Sequence, residues 1–342
     1  MSLRNRFMSN FNMIFMFMLV GWLWASPPQK IVIKIGSLAP TGTAWHRVLE
    51  DLDTEWREIT NDLVRVRIYP GGVLGDEADV VLKMRLGQIQ GAGLTAKGLS
   101  DIDKGIWGLS LPLQVHNDEQ LNWLHAQIED ELVQRYHDAG FVILTWTHLG
   151  WIHWFSDKPI RTPAELKQTR MFSWAGQAEM EALWKQEGYQ VVSLSLLDVL
   201  AALETGMINS IAQIPMSVAA YQWFGLVNYT SDLQWCSLPG AMLITLDAWE
   251  RIPEEYHAPM LAAARRLGSN LQNEVQQLET DAMTVMQDYG LQIIEITPEE
   301  FKLWEEVVSH MRIKLRGTLV DTVMYDRVVE LLEQMPPELA GE

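Results

Sequence analysis

From Ile31 to Leu38 apolar and polar side chains alternate (IVIKIGSL), which predicts a strand with one buried face. Pro40-Thr41-Gly42-Thr43 makes a turn, and Thr43 is placed to cap the helix AWHRVLEDLDTEWREIT. VRVRIYP alternates again and ends at Pro70. A glycine turn follows, then a helix with Asp76, Glu77 and Asp79 in its first turn, a Gly87 stop and a third short strand. Strands separated by helices predict two successive βαβ units, and so a doubly wound amino-terminal lobe.

The same rhythm returns between Lys158 and Pro215. RMFSW is a short apolar strand, AGQAEMEALWKQEG a helix closed by Gly188, and QVVSL a β-branched strand. SLLDVLAALETG predicts a second helix closed by Gly206, and INSIAQIP a last strand. In an open parallel sheet ligands bind beyond the carboxyl ends of the strands, which places Phe172, Trp174, Ser195 and Gln213 near a site. Farther on, residues 253–289 carry Pro at entry, Gly at exit and Ala, Leu and Val at helical spacing, which predicts one long helix. Gly268-Ser269 inside it predicts a bend.

The amino terminus follows neither period. Arg4 and Arg6 precede an uncharged run from Phe11 to Ala25, and Ser26-Pro27-Pro28 breaks any helix. That run, about 15 residues, is short of the ~20 that span a bilayer, so residues 1–26 read as a cleaved export signal. Leu23 is larger than the residue usual two places before the cut at Ala25. No Cys stands near the end of the run, which excludes a lipoprotein anchor.

Composition narrows the class. The chain has 342 residues, 48% apolar, enough for about two domains. A net charge of −18 argues against nucleic acid, which needs a basic face. The single cysteine, Cys236, leaves no internal disulfide and reads as a buried small hydrophobe. His148 and His153 lie five apart on one strand pattern, so they point to opposite faces and cannot jointly bind a metal without a bulge, and His116, His125 and His137 lack metal spacing. GGVLG lacks the Lys-Ser/Thr of a phosphate loop, and there is no Gly-x-Ser-x-Gly elbow. No acid, base or metal set converges, so neither an enzyme nor a cofactor is expected.

The order Pro70-Gly71-Gly72-x-Leu74-Gly75-x-Glu77, then Gly87-Gln88-Ile89-Gln90, resembles the solute-binding subunits of tripartite ATP-independent periplasmic (TRAP) transporters. So do Lys158-Pro159-Ile160 with Glu165-Leu166-Lys167, and Leu246-Asp247-x-Trp249-x-x-Ile252-Pro253-Glu254-Glu255. The resemblance runs from about Ile31 to Val308. It implies a two-lobed periplasmic-binding-protein-like α/β fold, each lobe a sheet flanked by helices, joined by crossing strands and a long helix. Residues 27–150 plus about 238–270 would form the first lobe, and 151–237 plus about 291–335 the second. The long helix 253–289 would brace both. The expected function is capture of a small molecule in the periplasm and its delivery to TRAP integral membrane subunits. A tetratricopeptide-repeat partner is permitted by the resemblance and shown by no residue.

The chain departs from the family where carboxylates are held. Aligning Glu165-Leu166-Lys167 puts Phe172 where members carry an arginine, and Gly150-Trp151-Ile152-His153-Trp154 offers Ile152 for a second. Gln213 stands in place of the usual Asn. Trp146, Trp151, Trp154 and Trp174 lie in strand ends, with Trp45, Trp107 and Trp223 near turns. Each is core-forming on its own account, because an indole buries ~150–250 Å². Collectively, with both arginines missing, they predict a cleft for a hydrophobic or amphipathic, even lipid-like, ligand. The alternatives are a conventional carboxylate binder using Arg170 or Arg161, and a non-transport envelope scaffold.

Overall fold

The computed structural model describes residues 30–340, so the export segment over residues 1–26 lies outside the described residues. β1 (Ile31–Ser37), α1 (Ala44–Ile59), β2 (Val64–Tyr69), α2 (Glu77–Arg85) and β3 (Gly91–Thr95) follow the alternation read from the sequence. Thr43 caps α1 by accepting from His46 N at 3.3 Å, and Asp76 with Asp79 forms a reciprocal capping box at the start of α2. β1 pairs in parallel with β2 on one side and β3 on the other, the arrangement two right-handed βαβ units give.

After α3 (Asp118–Asp138) the strand β4 (Phe141–Ser156) leaves this sheet and enters a second one. There β5 (Arg170–Trp174), α4 (Ala178–Gln186), β6 (Gln190–Leu194), α5 (Val199–Glu204), β7 (Ser210–Gln213) and α6 (Pro215–Ala220) repeat the alternation, with β5 parallel to both β6 and β7. The helix expected over SLLDVLAALETG divides into a 3-10 turn at Leu196–Asp198 and α5. Ser195 accepts from Leu197 N there, and its side chain thereby favours a tight turn over a helical start.

β8 (Tyr229–Ser231) and β9 (Cys236–Thr245) bring the chain back, and β9 runs antiparallel to both β3 and β4. The strand order is β2-β1-β3-β9-β4-β7-β5-β6, so β4 and β9 are the crossing strands between two sheets. The register of β4 on β9 shifts between His148 and Trp151, at Gly150 with φ 131°. A side chain on Gly150 would collide with the Glu279 carboxylate.

α7 (Glu254–Asp288) lies across β4 and contacts α1 and α6, and so touches both sheets. It runs unbroken through Gly268, where a bend was expected. Gly268 lies against the Thr145 side chain, which a Cβ would strike. The glycine is there for close helix-to-strand approach. β10 (Gln292–Ile294), α8 (Pro298–Leu315) and α9 (Thr322–Glu333) complete the described elements used below. Among the described residues no helix is long and apolar enough to cross a membrane.

Candidate ligand-binding cleft

The carboxyl ends of β1, β3, β5 and β7 converge on one cavity of about 100 Å³. From the first sheet come Ser37, Leu38, Ala39 and Pro40 after β1, Trp45 and Val48 of α1, and Gly93 to Thr95 of β3. The crossing strands supply Thr145, Thr147 and Leu149 of β4 and Leu238, Ala241 and Met242 of β9, while α7 supplies Gly268 and Leu271. Across the gap stand Trp174, Leu196, Gln213, Ile214, Ser217 and Tyr221. Both sheets therefore contribute wall, and the lining is mostly apolar.

A hydrogen bond at the cavity ties its two sides together. Tyr221 Oη donates to the Leu38 carbonyl at 2.8 Å, and its ring stacks on Trp223 at 4.9 Å. Burial, with Glu77 nearby, pushes the Tyr221 hydroxyl up to about 12, so it stays a donor.

Glu77 is the only lining residue with a formal charge among the described residues. Its carboxylate accepts from Thr95 N at 2.6 Å, Thr95 Oγ1 at 2.7 Å and Gly98 N at 2.8 Å. Burial raises its pKa, and those three bonds pull the other way. Its oxygens thus clamp α2 to the turn after β3. No Lys, Arg or His lines the cavity among the described residues. Trp45, by contrast, offers a buried indole N–H with no acceptor among them.

The residues singled out from sequence are dispersed. Trp174, Gln213 and Trp45 line the cavity. Phe172 is 5% exposed and packs edge-on against Trp174 at 5.3 Å, one layer behind the wall. Arg170 sits at the amino end of β5, about 13 Å of strand from Trp174, and its Nε donates to the Gly206 carbonyl at 2.9 Å. Neither Arg170 nor Arg161 reaches the cavity; Arg161 is engaged by the Glu295 carbonyl and Glu300. Trp151 is buried with its Nε1 on Asp118 at 2.9 Å, and Ile152 packs against the core on either side of β4. Trp154 is 2% exposed in a cluster with Trp184, Trp235 and Trp304, and Trp223 is buried beneath Tyr221. Trp107 and Cys236 are core, and burial holds the thiol well above its usual pKa. Thr145, Thr147, Leu238 and Tyr221 carried no signal in the sequence, since each reaches the wall only through tertiary placement.

Residues 35–314 match the family of bacterial extracellular solute-binding proteins, family 7. A solute-binding protein of Chromohalobacter salexigens is 22% identical over 223 residues, 64% of this chain and 65% of that one. A TRAP periplasmic solute-binding protein from Desulfovibrio salexigens, solved with bound orotic acid, superposes with a TM-score of 0.80 at 18% identity, over 91% of this chain and 99% of that one. The corresponding protein from Haemophilus influenzae RdAW, solved with bound L-gulonate, gives a TM-score of 0.80 at 18% identity, over 89% and 99%.

Proposed function

The chain belongs to the bacterial extracellular solute-binding proteins of family 7, the TRAP binding subunits, and on that premise we propose that it captures a compact, uncharged organic solute between its two lobes. The lobes, drawn as residues 27–150 with about 238–270 and 151–237 with about 291–335, close over the solute and present it to TRAP membrane subunits in the periplasm. Closure follows from differential affinity, because a solute that touches both walls stabilises the closed form. The observation that carries the ligand class is the lining: apolar, without a cation among the described residues, and with a buried carboxyl group, Glu77. An anion placed there without a cation would lose several kcal/mol of hydration. Trp174 and Gln213, which line the cavity, would flank the solute. The acids bound to the similar structures lend no support to a lipid-like solute. No observation supports a tetratricopeptide-repeat partner.

The acids bound to the two similar structures favour a second reading, a carboxylate binder. In this chain the anion would have to be held by neutral donors, since Arg170 is remote. Matched pairs separate the readings: uracil against orotate, and L-gulono-1,4-lactone against L-gulonate, compared by calorimetric titration. The uncharged member of each pair is expected to bind more tightly; tighter binding of the acids would establish the second reading and end the first. With the tightest binder of that set, Tyr221→Phe is expected to weaken affinity roughly fivefold, through loss of one neutral hydrogen bond formed in the closed state. Unchanged affinity in the same titration would show that the Tyr221–Leu38 bond does not follow closure.

A further inference from the structure

The two faces of the β1–β2 pair are unlike. Ile33 and Ile35 of β1, with Val66 and Ile68 of β2, pack into a core cluster shared with α1 and α7. By strand alternation the other face carries Val32, Lys34, Arg65, Arg67 and Tyr69. Val80 of α2 stands over Gly36 at the carboxyl end of that face, and the amino end is left open, with Val32 47% exposed. Register sets Lys34 directly opposite Arg67, and like charges so placed are destabilising. Lys34 Nζ reaches the Gln88 carbonyl at 3.5 Å and Arg67 lies 5.3 Å from the centre of the Tyr69 ring; neither is paired with a carboxylate among the described residues. Beside them Lys30, Arg57 and Arg65 converge on Asp62, 2.5 Å from Lys30 Nζ and 2.9 Å from each arginine Nε, with Asp53 at 3.9 Å from Arg57. A chain of net charge −18 thus gathers five cations around one open sheet face.

We propose that this face docks on the anionic surface of a phospholipid bilayer. Only the extracellular placement of the family is needed for this, not the identity of the solute. A peptide strand has no place to add along β2, because outward N–H groups are already taken: Val64 N donates to Thr60 Oγ1 at 3.0 Å and Val66 N to Asp53 Oδ1 at 2.5 Å. Cations spread over a sheet surface, with Val32 and Tyr69 among them, instead match a plane of phosphates above apolar chains. The acidic remainder of the chain does not cancel the local attraction, since charges beyond about 8 Å are screened at physiological salt. Lys30 and Asp62 stand at the amino ends of β1 and β2, whereas the cleft lies at the carboxyl ends, so a docked protein still loads solute.

The test is co-sedimentation of the exported chain with sucrose-loaded vesicles at about 0.15 M salt. The vesicles are phosphatidylcholine alone, or phosphatidylcholine mixed three to one with phosphatidylglycerol. Binding is expected with the mixed vesicles only. Each cation near such a surface is worth about fivefold, so Lys34→Glu, which removes one and adds an anion, should bind roughly 25-fold more weakly. Its urea midpoint should not fall, because the change sets opposite charges across the two strands. Lys302→Glu makes the same change of net charge at an exposed position of α8 and should bind like the wild-type protein. Absence of binding to the mixed vesicles would leave the face to an acidic protein segment and overturn the proposal. Equal binding to phosphatidylcholine alone, undiminished binding in Lys34→Glu, or an equal loss in Lys302→Glu would each overturn it as well. Vesicle binding is read without solute, so it stands whatever the cleft takes.

Discussion

Trp154→Ala is expected to remove about 3–5 kcal/mol of stability while leaving the solute affinity of the folded protein unchanged. Trp154 is 2% exposed, and its indole meets Trp235 edge-on at 5.6 Å and Trp184 at 6.3 Å. Trp235 in turn meets Trp304 at 5.7 Å, and Trp184 meets Tyr189 at 4.9 Å. Truncation opens a void among large rings that cannot collapse to fill it. Trp154→Phe should be far milder. The indole N–H of Trp154 has no acceptor among the described residues, so phenylalanine loses area but also removes an unpaired buried donor. Trp174→Ala supplies the contrast: it strips the cavity wall, and affinity should fall about tenfold or more, since one ring face of buried apolar area is worth over 1.4 kcal/mol. Urea denaturation and calorimetric titration on the same three variants decide the matter. Weakened binding in Trp154→Ala at undiminished stability would return that residue to the site.

That contrast marks how far the sequence could be read. Alternation, short apolar runs and glycine stops located β1, β2, β5 and β6, whether inside the strand order or, like β2 and β6, at its edges, because these signals are local to the chain. The rule about carboxyl ends of parallel strands led to Trp174 and Gln213, which line the cavity. It could not separate Trp174 from Phe172, two residues earlier on the same face, since depth behind the wall depends on what packs in front. A gap of one or two residues in the alignment would bring Arg170 to the family's arginine position, but it stands at the amino end of β5, away from the cavity. Along β4 the failure has a definite cause. The register of β4 shifts between His148 and Trp151, so the faces of Trp151 and Trp154 cannot be counted by strict alternation from the first half of the strand. The long helix was legible from its period, whereas Gly268 reads as a bend until Thr145 is seen against it.

Raising the pH from about 5 to 8 is expected to reveal a loss of about 2–3 kcal/mol that disappears in Glu279→Gln. Glu279 of α7 meets the bulge of β4, where its Oε1 accepts from Trp151 N at 2.6 Å. Burial, reinforced by Asp118 and opposed by that hydrogen bond, raises its pKa from 4.5 to about 7. The folded protein then holds a proton that the unfolded chain has released, so this stabilising contribution is complete below about 4.5 and is lost as pH rises through about 7. His148, on the other side of Asp118, works in the opposite sense. Burial lowers its pKa, so its contribution grows as pH rises toward the ordinary histidine value. The raw stability curve mixes the Glu279 slope with those of the buried histidines, and the informative quantity is the difference between the wild-type protein and Glu279→Gln. Glutamine keeps an oxygen for the Trp151 N–H and cannot ionise, so the variant retains the slopes of the buried histidines, His148 with His116, His125 and His153, without that of Glu279. Urea midpoints taken across this range should therefore converge at low pH and separate above neutrality, with the variant the more stable. Curves that run parallel throughout would mean that Glu279 titrates as an ordinary carboxylate, and that the crossing of α7 over β4 carries no proton-linked strain.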